Sequence, residues 1–473
     1  MKENPYQEDR FEMQELLNRY ENLKNGLQNS FLEEESFELI IDYFQEKDDQ
    51  RQAIEAVNFG ISQYPYSSLL TIKKADILLA NRQYKEALDL LDQATLLDHA
   101  DINNYILKTE ALLALDMHEK AVNLLEEALL LFEGEEKIEL LFELADVYDD
   151  YEDFDKVFDC LKLILEDEPN NEEALYKICF WTDFTGRNEE SIRLHQQIIN
   201  DFPYNELAWF NLASSYQGLK LYEKAIDAYQ YAIAIDEKFD YAHRNIGDAY
   251  IRLRKYKEAI EALLKVTELS KPEPVILEAI GHCYDKLKNY AQARFYYRKA
   301  THINKEDSKL FYKIACTYFN EKQWESCAKQ IETALKLQTR HAEYYLLLGE
   351  CKMQTGFINQ AINSFSEAVR LRPKNSNGWE ALIRCLFYMG YFEEAIEQVD
   401  AALAITEGKP IFKYYKAAIL FSLGKSKGAL LQLEDAIIIA PRLVKQFVEL
   451  YPAILQNQQV VDCIAKHKKS KRK

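Results

Sequence analysis

Carboxylates recur along the first third of this chain at a fixed interval. Asp42, Asp76 and Glu110 stand 34 residues apart, and Asp146 follows after 36. Acids so placed hold cations: either a Lys/Arg-rich segment, or only counterions on a solvated face. Asn211 and Asn245 are also 34 apart. An amide donates and accepts at once, which suits the main chain of a bound peptide. Arg244, Lys309 and Lys313 are cations on the same spacing scheme, and an anion is what they would attract. None of these groups forms a catalytic set. The chain has no GxGxxG, GxxxxGK[ST], GxSxG or HExxH. His282 next to Cys283 is the nearest thing to a metal pair, yet adjacent residues on a helix do not face one another. The eight Cys include no CxxC, and Cys316, Cys327, Cys351 and Cys385 fall inside helical phrases as small packing residues. The expectation is a binding protein with no catalytic residue, metal site or cofactor.

The interval itself says what positions these groups. Stepping by 34 from Ala225 gives Ala259, Ala293, Cys327, Ala361, Ala395 and Ala429 in one direction. In the other it gives Ser191 and Val157, then Ala121, Ala87 and Ala53 after a two-residue slip near Glu133–Lys137. A second small-residue series runs through Gly60, Ala94, Ala128, Ala232, Ala300, Ala334, Ala368, Ala402 and Ala436. Pro65, Pro169, Pro203, Pro373 and Pro441 share one phase, where a helix stops and the next begins. With 14 Gly and 10 Pro in 473 residues, breakers are scarce and the chain reads as almost wholly helical.

The full phrase is W-x2-L-G-x2-Y, then A-x3-F, A and P. "WFNLASSY" (Trp209–Tyr216) with "AIDAYQYA" (Ala225–Ala232) carries it, as does "YLLLG" (Tyr345–Gly349) with "AINSFSEAVRLRP" (Ala361–Pro373). It resembles the tetratricopeptide repeat. The resemblance implies an all-α, right-handed superhelical solenoid of antiparallel helix pairs. Twelve repeats span 34–443, starting at Glu34, Ser68, Ile102, Ile138, Glu172, Glu206, Asp240, Pro274, Ser308, Ala342, Ser376 and Pro410. Residues 1–33 are expected to form an N-terminal capping helix, 444–465 a C-terminal capping half-repeat, and 466–473 a basic tail. Within each repeat, positions 4, 7 and 11 of helix A and 20, 24 and 27 of helix B face inward. One repeat cannot bury its own face, so copies stack.

The resemblance also implies that helix A positions 2, 5, 6, 9, 12 and 13 line a groove that receives peptides or helices. Asp42, Asp76, Glu110 and Asp146 all fall on position 9, and the lining positions sum to −11 over the first five repeats and to zero over the other seven. An acidic channel for a basic segment and a merely soluble acidic face both remain open. Asn211 and Asn245 fall on position 6, where the family often holds a peptide backbone. A related clamp for chaperone C-termini matches Arg244, Asp248, Ala279, Lys309 and Lys313. It keeps the three cationic places and loses both amides, and Asp248 would repel a carboxylate. A looser anion site at the three cations, or surface cations with no role, are the alternatives. Phe319, Phe387, Tyr388, Tyr414, Tyr415 and Phe421 reach groove positions and are either partner anchors or packing for neighbouring helices.

Residues 1–200 carry a net charge of −28 and residues 201–473 a net of +8. The acidic part repels phosphate, so nucleic acid is not an expected partner. No apolar run is long enough to span a membrane, and no basic-then-apolar leader opens the chain, so a cytoplasmic protein is expected. The function expected is a protein–protein scaffold or adaptor holding a peptide or helix in its groove. The alternative is a noncatalytic regulatory or chaperone-linked subunit that positions an enzyme or RNA, with the tail "KHKKSKRK" masking the acidic channel.

Overall fold

The computed structural model describes residues 5–26 and 31–470, and among these there is no strand. Helices alternate long and antiparallel along the chain, two to each 34-residue phrase. The first helix of each pair (helix A) begins at Glu34, Ser68, Ile102, Glu135, Glu172, Glu206, Asp240, Pro274, Ser308, Ala342, Ser376 and Pro410. In the fourth pair it starts at Glu135 rather than Ile138, because the two extra residues are taken up after Gly134, which has φ 63°.

Local chemistry sets these boundaries. Ser67, Asp101, Asn171, Asn205, Asp307 and Asn375 each stand just before a helix A, and their side chains accept a hydrogen bond from a first-turn N–H. Such caps satisfy donors that the helix cannot. The phase-locked prolines do more than stop a helix. Trp209 Nε1 donates to Pro203 O at 2.9 Å, and Trp379 Nε1 donates to Pro373 O at 2.8 Å. In these two repeats the motif Trp thereby fastens helix A to the turn before it. The A-to-B turn is equally regular: every one of the twelve contains a residue with φ between 55° and 81°, from Asp48 and Arg82 through Lys220, Lys288 and Lys322 to Gly424.

The small residues of the two alanine series form the contact between helices. All twelve residues on position 20, from Ala53 to Ala429, are no more than 2% exposed. Larger side chains such as Leu91, Tyr229, Leu263, Tyr297, Ile331, Phe365 and Leu433 are buried beside them, each worth about 1.5–3 kcal/mol of apolar burial.

The chain divides into two compact units, Met1–Glu237 with six helix pairs and Lys238–Lys473 with the other six. In the first, Tyr20 of the helix Pro5–Lys24 is buried against Phe37 and Phe59, which covers the open end of the first pair. In the second, the end is closed by the short helix Val444–Leu450 and the helix Gln458–Ser470. Phe447, Leu450, Ile454, Val460 and Cys463 from this stretch are buried in the core of the last repeats. Seven residues of the basic tail, 467–473, have side chains outside the described residues; Lys466 pairs with Glu434 at 3.7 Å.

Candidate functional site

The faces of helix A that point away from helix B carry the residues that could meet a partner. In the first unit the position-9 acids are largely engaged with a neighbouring repeat. Asp42 accepts from Lys73 Nζ at 2.6 Å, and the same ammonium lies 3.3 Å from Glu38. Asp76 accepts from Gln45 Nε2 at 2.8 Å. Asp146 lies 3.6 Å from Lys177, which also holds Glu173 at 2.9 Å. Glu110 is exposed. So the acidic row is real, but in its first two members each acid already has a donor.

The acids crowd most around Glu143, on the helix Glu135–Asp150. Burial, and then the charges of Asp146, Glu139 and Glu110, hold its carboxyl above the usual carboxylate range, with Lys177 opposing. Three repeats meet here with more negative charge than Lys177 offsets.

Asn211 corrects the expectation of a peptide-holding amide. It is 2% exposed, and its Nδ2 donates to Leu175 O at 2.7 Å and sits 3.2 Å from His195 Nε2. His195 Nδ1 is 2.8 Å from Ser191 O, and Ser215 Oγ donates to Ser191 Oγ at 2.8 Å. The amide belongs to a buried polar network inside the helix stack, because Ser191 and His195 on helix B leave polar atoms there that need partners. Burial drives the His195 pKa down to about 4, so the ring is neutral. Asn245, on the second unit, is half-buried.

Tyr414 is likewise not a groove residue. It is fully buried, its hydroxyl donates to Ala440 O at 3.0 Å, and its ring packs 5.8 Å from Phe447. The C-terminal helices that close the second unit cover that face. Phe387 and Tyr415 are buried by the same packing, Phe319 and Phe421 are half-buried, and Tyr388 is exposed. Of the three cations, Arg244 is bound to Glu273 at 2.7 Å and Lys313 to Glu278, while Lys309 is exposed. Two of the three thus already hold a carboxylate, and Asp248 faces Arg252 at 3.4 Å.

The most conspicuous surface was not singled out from the sequence. On the helix Glu172–Thr185, Tyr176, Phe180 and Phe184 are 64%, 60% and 59% exposed. They occupy positions 5, 9 and 13, while Leu175, Ile178 and Thr182 on the opposite side are buried. The Phe180 and Phe184 rings stack at 6.0 Å, and Phe184 is braced edge-on by Phe154 at 4.7 Å. Trp181 touches Phe154, Phe180 and Phe184. The signal available in sequence was the i, i+4, i+8 spacing of three aromatics on the face that the core does not use. Among the described residues no group of three or more His, Cys, Asp or Glu is disposed to hold a metal ion, and no helix is long and apolar enough to cross a membrane.

The family profile for the tetratricopeptide repeat matches residues 207–239, and a second profile of that name matches 242–272, 276–307 and 342–375. These matches fall on helix pairs with the same spacing and small-residue contacts as the rest. The chain is a tetratricopeptide-repeat protein. Its repeats are of the kind that serve protein–protein interaction. Two curated relatives share part of it. Anaphase-promoting complex subunit 3 of Dictyostelium discoideum is 32% identical over 72 residues, which is 15% of this chain and 7% of that protein. The subunit of the same name from Schizosaccharomyces pombe is 27% identical over 124 residues, 25% of this chain and 18% of that one. The chain therefore spans less than a fifth of the length of these relatives. Among solved structures, the hetero-tetramer Cut9-Hcn1 of the anaphase-promoting complex is 13% identical, covers 82% of this chain and 97% of that chain, and superposes with a TM-score of 0.34.

Proposed function

We propose that this tetratricopeptide-repeat protein is a non-enzymatic scaffold that holds a segment of a partner protein against the exposed faces of its A helices. The observation that carries this reading is the exposed strip Tyr176, Phe180 and Phe184. Large aromatics left open on a helix whose other face already serves the core are a liability in a protein that meets nothing. They are efficient anchors in one that does. The names of the curated relatives, subunits of a complex, accord with a partner-holding role.

The test is affinity capture from the native cell followed by mass spectrometry. Wild type is compared with a chain in which the exposed or half-exposed helix A residues Glu110, Phe180, Arg244 and Lys309 are changed to Ser. A partner held by wild type and lost by the variant, with the melting curve unchanged, supports the reading. Partners held equally by both would show that the A helices are not the working surface.

A further inference from the structure

Resting on the scaffold reading, we propose that the A helices of the third, fourth and fifth repeats dock a basic amphipathic helix of a partner protein. Its apolar side chains lie on Tyr176, Phe180 and Phe184, and its Lys/Arg residues face Glu110, Glu139, Glu143 and Asp146. Both halves of that chemistry are present side by side within the first unit.

The apolar half is preorganised. The three rings lie along one face of the helix Glu172–Thr185, spaced i, i+4 and i+8 and so about 12 Å long at 1.5 Å per residue. That matches the run of anchors an amphipathic helix presents at i, i+4 and i+7. Phe154 and Trp181 brace the strip, with ring centroids 4.7 and 5.8 Å from that of Phe184 and 5.2 Å from each other. Rings already fixed lose little freedom when a partner covers them.

The charged half adjoins it. Lys177, next to Tyr176 in sequence, bridges to Asp146 on the neighbouring A helix and lies 5.0 Å over the Phe142 ring. Glu143 sits on that same A helix under the repulsion of Asp146, Glu139 and Glu110. One ammonium serves this group, so an incoming Lys or Arg relieves repulsion already built into the unbound protein. Exposed ring faces next to the acids also accept cations. An acidic segment or a nucleic acid meets the same carboxylates as a barrier, which leaves a basic, apolar-faced segment as the occupant.

The experiment uses the full chain and three fluorescein-labelled peptides of about twenty residues, long enough to form a helix on the surface. One has Leu at i, i+4 and i+7 with Lys on the flanking positions. The second replaces each Leu by Ser, and the third replaces each Lys by Glu. Fluorescence anisotropy is read at about 50 mM and about 300 mM salt, which differ in screening length by more than twofold. The expected result is binding of the first peptide only, at least tenfold tighter than either control. Phe180→Ser weakens it at least tenfold, and Glu143→Gln with Asp146→Asn weakens it and flattens its salt dependence. Tyr176→Ser provides the same reading should Phe180→Ser melt early.

Equal binding of the acidic peptide, an unchanged affinity in both ring variants, or no binding of the basic peptide at the lower salt overturns the inference. The two readings fail separately. If the peptides fail while the capture variant still loses its native partner, the scaffold stands and this partner class falls. If the peptides behave as expected while native partners ignore the A-helix variant, the scaffold reading falls instead.

Discussion

The ring of Phe365 stands over the bare α-carbon of Gly349, so that a Cβ added to Gly349 would lie 2.5 Å from Phe365 Cε1. Gly281 with Tyr297 and Gly247 with Leu263 repeat the relationship at 2.7 and 2.6 Å. In each, a glycine on helix A makes room for the large side chain of the paired helix B. Gly349→Ala gains helix propensity of about 1 kcal/mol but forces a well-packed ring aside, a cost of about 1–3 kcal/mol. The expected outcome is a net loss of up to about 2 kcal/mol in urea unfolding. Gly428 is the control: it lies in the first turn of the helix Ser426–Ile439 with only Leu420 Cδ1 nearby, at 3.9 Å. Gly428→Ala should not destabilise, and should stabilise by up to about 0.5 kcal/mol, less than in a helix interior.

The A-to-B turns give a second prediction. Eight of the twelve place a non-glycine residue in the left-handed region, among them Lys220 at 61°, Lys288 at 59° and Lys322 at 60°. A side chain there costs about 1–2 kcal/mol, and glycine returns part of that gain through the freedom it has when unfolded. Each Lys→Gly change should stabilise by about 0.5 kcal/mol, and all three together should raise the melting temperature. A lower melting temperature in the triple variant would show that these lysines make contacts worth more than the backbone strain.

Most of the fold was legible because a period is a global signal. Small residues, prolines and caps all had to keep phase, so nearly every helix A could be placed from its repeat. The exception, Glu135 against Ile138, lies where the period slips. The site was less legible, because a repeat position fixes direction only approximately and not what covers it. Asn211 occupies a groove position, yet the polar Ser191 and His195 behind it draw the amide inward. Tyr414 also occupies one, but the C-terminal helices sit on it. Tyr176, Phe180 and Phe184 are hidden in a count of charge on those positions, because their acidic neighbours dominate the sum.

The His195 network has a pH signature. Its folded pKa, about 4, lies below the ordinary histidine value of 6.5. The unfolded chain therefore binds a proton at a higher pH than the folded one, and stability falls as pH drops from about 6.5 towards 4. The full span corresponds to about 3 kcal/mol. His195→Gln should remove this part of the slope, so the stability difference between wild type and variant narrows or reverses across that window. Parallel curves would show that the ring is not the group that titrates. Asn211→Ala, by contrast, should lower stability by about 1–3 kcal/mol at pH 7 by leaving Leu175 O and His195 Nε2 without their donor.

Glu143 carries the opposite sign. Burial and its acidic neighbours raise its pKa, so the folded protein binds this proton at a higher pH than the unfolded chain does. Its contribution is present below the ordinary carboxylate range and is lost as pH rises through the raised value. At neutral pH the ionised group opposes folding, and Glu143→Gln should raise the melting temperature there. The gain should vanish near pH 3, below the ordinary carboxylate range, where the carboxyl is protonated in both states. The group is half-exposed, so solvent screening keeps the effect small. The same substitution should weaken docking of the basic amphipathic peptide. A residue whose removal stabilises the fold and impairs binding is one retained for the partner. If Glu143→Gln instead lowers the melting temperature at pH 7, the carboxylate has a stabilising donor and the surplus of negative charge beside the aromatic strip is not what shapes that surface.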